Sequence, residues 1–385
     1  MNKVVCFVLT LTILAFQSVG ALFAYENILI GALYSATGSY SSIESPALSG
    51  ALLAAKELNG ANGLLGKKIE LAPTDVRGGR TAVRDAVSRF AVEQKVVAVV
   101  GLGDPLDASA AGFLAQKAGM PFVCIGADAS SLPDRFGGCM YLVGGDLHSQ
   151  AYGLARFAYH DLRARTAYVL VDDSADASKL QLASLFKIRF KQFAGFGAIL
   201  LEDSFHRGDN DFAIRIQRLK TLDPLPDVLM AAVEGNDFIE IVKQFRGAGI
   251  ERPIMGGERF GSSLLAETRD AFLRNVYFST QNSFESESVQ VKNFVEKYKE
   301  EFGHAPENAF AALGYDALRL IATAIVKAGN CERRSILKAL AETKGFEGLT
   351  GTIGYGDSFL VPKKNVSLIT VTGGKLSLAK EITPP

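Results

Sequence analysis

Short apolar runs alternate with longer segments in which apolar residues recur every three or four positions, and this rhythm fills most of the chain. Ile28 to Tyr34 predicts a strand, and residues 44–59 predict a helix with Leu48, Leu52, Ala55 and Leu58 on one face. Asn59, Gly60, Asn62 and Gly63 end that helix. Ile69 to Thr74 predicts the next strand and 80–93 a helix. Val96 to Val100 predicts a strand running into Gly101, followed by a helix at 107–118 and a strand from Pro121 to Ile125. The pattern restarts with the apolar run Ala167 to Val171 and a helix at 177–194. It continues through Ala198 to Leu201, a helix at 209–220, Val228 to Ala232, a helix at 235–247, and Pro253 to Met255. Strand–helix repetition of this kind predicts parallel sheets covered by helices on both faces. Two series separated around Gly144 to Ser149 predict an α/β protein of two doubly wound lobes. Residues 287–302, 308–328 and 333–343 then predict three helices in a row. Val366 to Val371, Gly373-Gly374 and Leu376 to Leu378 predict a β-hairpin.

The first 25 residues are patterned differently. Lys3 is their only charged side chain, an apolar run follows from Val4 to Phe16, and Ser18, Gly20, Ala21 and Ala24 precede Glu26. That order predicts a secretory signal peptide over residues 1–24, cut after Ala21 or Ala24. The run is short for a bilayer, which needs about 20 residues. Cys6 stands near the start of the segment rather than at the cleavage site, so it is no lipid-modified cysteine. The mature chain is expected to be soluble and periplasmic. No later stretch is expected to span a membrane, since Ile321 to Val326 is brief and flanked by Arg319 and Lys327.

Charge narrows the partners. Basic and acidic residues balance at 41 each, leaving no basic stripe to neutralise phosphates, so no nucleic acid is expected. Cys124, Cys139 and Cys331 remain after processing. Cys124 and Cys139 either bridge or stay as separate core thiols. No C-x-x-C spacing occurs and His148, His160, His206 and His304 are scattered, so no metal is expected. Gly101-Leu102-Gly103 sits between a strand and a helix as a dinucleotide loop does. Leu106 replaces its third glycine, however, and Pro105 removes a donor, so no cofactor is expected. No nucleophile–base constellation supports a hydrolase, and no catalytic residue is assigned. The candidate ligand positions are the strand-to-helix loops: Ser35 to Tyr40, Asp75 to Arg80, Gly103 to Asp107, Gly126 to Ser130, Asp172 to Asp176, Glu234 to Asp237 and Gly256 to Gly261.

Several segments carry a resemblance. Ile30-Gly31-Ala32 through Thr37-Gly38-Ser39-Tyr40, Gly50-Ala51, Ala54-Ala55-Lys56-Glu57-Leu58-Asn59 and Asn62 through Leu71 lie in that order. Gln116 to Pro121 and Phe310 to Ala317 follow. Together they resemble the periplasmic leucine/isoleucine/valine-binding proteins of ABC transporters. The resemblance implies a type I periplasmic binding fold with a three-strand hinge, crossing near 145–148, 278–283 and 355–360. Lobe one would comprise 25–146 plus 280–356, and lobe two 147–279 plus 357–385. It also implies a small-molecule ligand, an inner-membrane ABC permease as partner, and a monomer; a ligand-sensing protein of the same fold is the alternative.

The family's site maps unevenly onto this chain. Its carboxylate-binding serine falls at Pro105, its partner threonine at Asp128, and its covering tyrosine near Asp176. The acid that binds the α-ammonium is matched by Glu258. Tyr40, Gly126 and Glu234, from the same loops, complete the candidate ligand set. A carboxylate facing Asp128 without donors would be repelled, which shifts the expected ligand toward amino, amide or hydroxyl groups. The alternative is that Asp104, Asp107, Asp128 and Asp176 are ordinary N-caps and loop acids. Arg77 and Arg259 are the alternative sources of positive charge.

Overall fold

The apolar runs of the first half become Ile28–Tyr34 (β1), Ile69–Asp75 (β2), Val96–Gly101 (β3), Phe122–Cys124 (β4) and Met140–Leu142 (β5) in the computed structural model. It describes residues 27–385 apart from 39, 93–94, 127–131, 174–176, 207, 234, 259–270, 282–283, 285–287, 356–359 and 373–374. These five strands form a parallel sheet of order β2-β1-β3-β4-β5. Because successive strand residues face opposite ways, the sheet needs cover on both sides. Ile30, Ala98 and Val123 pack with Ser41–Gly60 (α1). Leu33, Val99 and Phe122 pack with Arg80–Val92 (α2) and Pro105–Ala118 (α3).

Leu132–Arg135 (α4) is a short turn before β5. Leu147–Arg156 (α5) then begins the second unit, running into a π-helical turn at Phe157–Asp161. Next come Ala167–Asp172 (β6), Ala177–Ala194 (α6), Ile199–Phe205 (β7), Ala213–Lys220 (α7), Val228–Ala232 (β8), Gly235–Gly247 (α8), Ile254–Gly256 (β9) and Val276–Thr280 (β10). Strands β7-β6-β8-β9-β10 are parallel. Val169 and Met230 pack with Phe186 and Phe190 of α6, and Leu170 and Leu229 with Phe238 and Phe245 of α8.

The predicted run of three helices is Val289–Phe302 (α9), Ala309–Ala328 (α10) and Arg333–Ala341 (α11), packed on the first sheet. A small hairpin, Phe346–Gly348 (β11) and Gly351–Ile353 (β12), follows. Val366–Thr372 (β13) and Lys375–Ile382 (β14) form the expected C-terminal hairpin, joined antiparallel to β10 on the second sheet. The chain therefore passes between the sheets three times: after β5, after β10 and after β12. The passages are bonded to one another, with Leu142 N–H donating to Leu360 O (2.9 Å) and Gly145 N–H to Gln281 Oε1 (2.5 Å).

Of the two readings open for Cys124 and Cys139, separate core thiols are found: both are buried and they are not bridged to each other. In the β4–β5 register Cys124 lies opposite Leu142, three residues beyond Cys139. At about 3.3 Å per residue the two cysteines are offset by about 10 Å along the sheet, beyond disulfide reach. One expectation is corrected, that no later apolar stretch reaches spanning length: α10 is 20 residues long and apolar enough by length and composition to cross a membrane. It is nevertheless a core helix, buried against α1 and the first sheet. Pro46 inside α1 has no N–H for Ser42 O, and Asn308, the N-cap of α10, donates its Nδ2 there instead (2.7 Å). The signal-peptide segment and the Gly373-Gly374 turn lie outside the described residues.

Candidate ligand-binding cleft

In the first sheet the chain winds from β1 to β2 on one side and on to β3 on the other. In the second sheet the same reversal lies between β6 and β8. Crevices beyond the C-terminal strand ends open at such reversals. At the first crevice, β3 ends in Gly101 at φ +126, where a Cβ would sit 2.0 Å from Leu33 O. Only glycine lets the two strand ends approach so closely. The next residues reach the side chain of Glu44, in the first turn of α1 and 1% exposed. Its Oε2 accepts the Ser35 N–H (2.6 Å) and its Oε1 accepts those of Gly103 (2.7 Å) and Asp104 (3.3 Å). Burial pushes the Glu44 carboxyl up, and these N–H bonds oppose the shift. Tyr40 stands at the N-cap position of α1, its carbonyl accepting the N–H of Ile43 (3.1 Å) and Glu44 (2.9 Å).

Pro105 opens α3, where its fixed φ suits the first helical position. Asp104 is the N-cap: its Oδ1 accepts the N–H of Leu106 (2.7 Å) and Asp107 (3.1 Å). Of the two readings open for Asp104, the cap is the one found. Asp107 is half-buried beside it. Burial first, then the charges of Asp104 and Glu44, push its carboxyl up to about 6, with Arg80 opposing. Gly126 follows β4, and a Cβ there would touch the Phe310 ring at 3.0 Å. Arg77 is paired with Asp75 (2.7 Å), at the end of β2.

Glu258 lies two residues past β9, against the hinge. Its Oε2 accepts Gln150 Nε2 (3.1 Å) and Gln281 Nε2 (2.9 Å), and its Oε1 accepts Gln281 N–H (3.1 Å). Gln281 follows β10, so one side chain holds Glu258 and, through its Oε1, the first crossover. Buried Lys364, in the third crossover, adds positive charge. Burial lowers its ammonium to about 8, while Asp316 and Glu258 oppose the shift. Tyr40, Glu44 and Pro105 thus gather beyond β1 and β3, Gly126 beyond the neighbouring β4, and Glu258 at the hinge side of the second lobe. Asp128, Asp176, Glu234 and Arg259 lie outside the described residues.

A family model for periplasmic binding proteins matches residues 27–375. The chain belongs to that family. A Leu/Ile/Val-binding protein homolog 7 from Brucella abortus is 25% identical over 373 residues, covering 91% of this chain and 89% of its own. Among solved structures, the substrate-binding protein LivJ of Streptococcus pneumoniae, in complex with isoleucine, is similar. Its TM-score is 0.81 and its identity 28%, with coverage of 93% of this chain and 100% of that one. The leucine-binding protein LivK of Thermotoga maritima gives a TM-score of 0.79 at 25% identity, covering 93% and 99%. The two-lobe, parallel-sheet architecture is the type I periplasmic binding fold expected from the sequence.

For this periplasmic binding protein, reading the loops alone overlooked Glu44, Gln150, Gln281 and Lys364. Glu44 did carry a signal, being an acid on the same helical stripe as Ala47 and Ala51, which are both buried. Gln281 and Lys364 carried none, because their partners come from chain segments distant in sequence.

Proposed function

We propose that this periplasmic binding protein captures a small polar, amine-bearing solute between its lobes and delivers it to an inner-membrane ABC permease. Lobe one is taken as 25–146 plus 280–356 and lobe two as 147–279 plus 357–385. The protein would act as a monomer, after signal-peptide cleavage, in the periplasm. The observation that carries the reading is the pairing of two doubly wound sheets through three bonded crossovers. Such lobes close around a ligand by rotating about a hinge. A carboxylate at that hinge, Glu258, supplies the charge for an ammonium, with Tyr40, Pro105 and Gly126 on the first lobe and Asp128, Asp176 and Glu234 completing the ligand set.

A thermal-shift panel of amino acids, amides, polyamines, sugars and aromatic acids tests the reading. A solute at 100 times its dissociation constant adds about 2.7 kcal/mol of stability, a readily measured shift. With the solute so found, Glu258→Gln should weaken binding at least tenfold while the melt stays cooperative, since a charge-assisted hydrogen bond contributes about 1.5–3 kcal/mol. Calorimetry giving an affinity within twofold of the parent would remove Glu258 from the site.

A further inference from the structure

The crevice beyond β1 and β3 is where a doubly wound sheet offers backbone N–H groups to a ligand, and such groups hold anions best. In this protein they already have one. The amides of Ser35, Gly103 and Asp104 come from two different strand ends and converge on the two oxygens of Glu44. The neighbouring donors are engaged as well. Leu102 N–H bonds to Leu33 O, Leu106 and Asp107 donate to the Asp104 side chain, Ala108 donates to Asp104 O (2.8 Å), and Pro105 has no N–H. Every N–H from Leu102 to Ala108 therefore serves a protein acceptor. The seat is lined by three acids, Glu44, Asp104 and Asp107, with Arg80 as the opposing charge on Asp107.

We infer that Glu44 is a resident carboxylate filling the anion seat of the first lobe, so that the cleft turns away carboxylate-bearing solutes and takes those whose lobe-one end is cationic or neutral. The inference rests on the solute-binding reading above and sharpens its substrate class. A solute carboxylate arriving here meets like charge and no donor from the end of β3, an arrangement that acts against the competitor as much as for the ligand. An ammonium, amide or hydroxyl meets acceptors instead. Glu44 also ties the end of β1 to the end of β3, so both crevice walls are set by one side chain.

Acetate reproduces the atoms removed by Glu44→Ala, so rescue by sodium acetate reads the seat directly. The variant should melt below the parent, and acetate should raise its melting temperature beyond an equal concentration of sodium chloride while leaving the parent unchanged. If E44A is too unstable to melt cooperatively, acetate-dependent refolding from denaturant, followed by circular dichroism, gives the same readout. Calorimetry of the parent with L-leucine, L-isoleucine and L-valine should show no micromolar binding. Acetate acting no better than chloride, or micromolar binding of any of the three amino acids, overturns the inference. Acetate rescue needs no cargo, so it fails independently of the transport reading. That reading fails instead if the solute panel yields no ligand; micromolar leucine binding would leave it standing.

Discussion

Gly314→Ala should destabilise the protein by about 3 kcal/mol or more, the upper end of what overpacking costs. In the contact between α1 and α10, a Cβ on Gly314 would lie 1.9 Å from the Ala47 carbonyl oxygen, and one on Gly50 would lie 1.8 Å from Ala311 O. Both obstacles are backbone, so no rotamer change relieves them and the helices must separate. Separation would loosen the core that holds Ile30, Ala98 and Phe310 together. Gly50→Ala should cost as much, and the double variant less than the sum, because both additions open the same contact. Gly60→Ala, on the same α1 but with nothing within 4 Å, should be neutral or mildly stabilising. Urea melts of the four variants check this; a Gly314→Ala protein within about 1 kcal/mol of the parent would contradict the close crossing.

The second large effect belongs to Asp316. It is 1% exposed on α10, and its carboxylate accepts Leu349 N–H (2.8 Å), Thr350 N–H (2.9 Å) and the Thr350 hydroxyl (2.6 Å). The buried ammonium of Lys364 donates to the same hydroxyl. Burial pushes the Asp316 carboxyl up and the Lys364 ammonium down to about 8, and each charge opposes the shift of the other. Asp316→Ala leaves a buried ammonium without its main counter-charge, a loss of about 3–5 kcal/mol. The sign with pH follows from Lys364. Its folded-state value lies below that of the unfolded chain, so unfolding takes up protons and stability rises with pH through that window. Without Asp316 the window opens below pH 8. The deficit of the variant should therefore narrow between pH 7 and pH 9. Thermal melts across that range that keep the deficit constant would exclude Lys364 as the origin of the cost.

The α/β rhythm was legible because each buried parallel strand needs a continuous apolar run, and Val96–Gly101 and Ala167–Asp172 have one. Met140–Leu142 was not, because so short a run has no period, whereas the equally short Phe122–Cys124 and Ile254–Gly256 were marked by the helix patterns before them. Helix α5 fell where the pattern suggested only a break between lobes. Its apolar positions, Leu147, Ala151, Leu154 and Ala155, face a sheet built by later sequence. The site was legible only in part. Pro105 and Glu258 could be placed by resemblance, whereas Glu44, an acid on a buried stripe, carried a signal that the loop reading did not use. The convergence on Glu258 joins Gln150, 108 positions away, with Gln281, 23 positions away, and no local pattern encodes it.

Closure on a ligand is the central claim, because a solute held by both lobes must bias the hinge toward the closed form. Small-angle X-ray scattering of the mature protein, with and without a saturating solute taken from the thermal-shift panel, tests it most directly. A smaller radius of gyration is expected, with a one-to-one stoichiometry by calorimetry on the same sample. An unchanged radius of gyration at demonstrated saturation would contradict it.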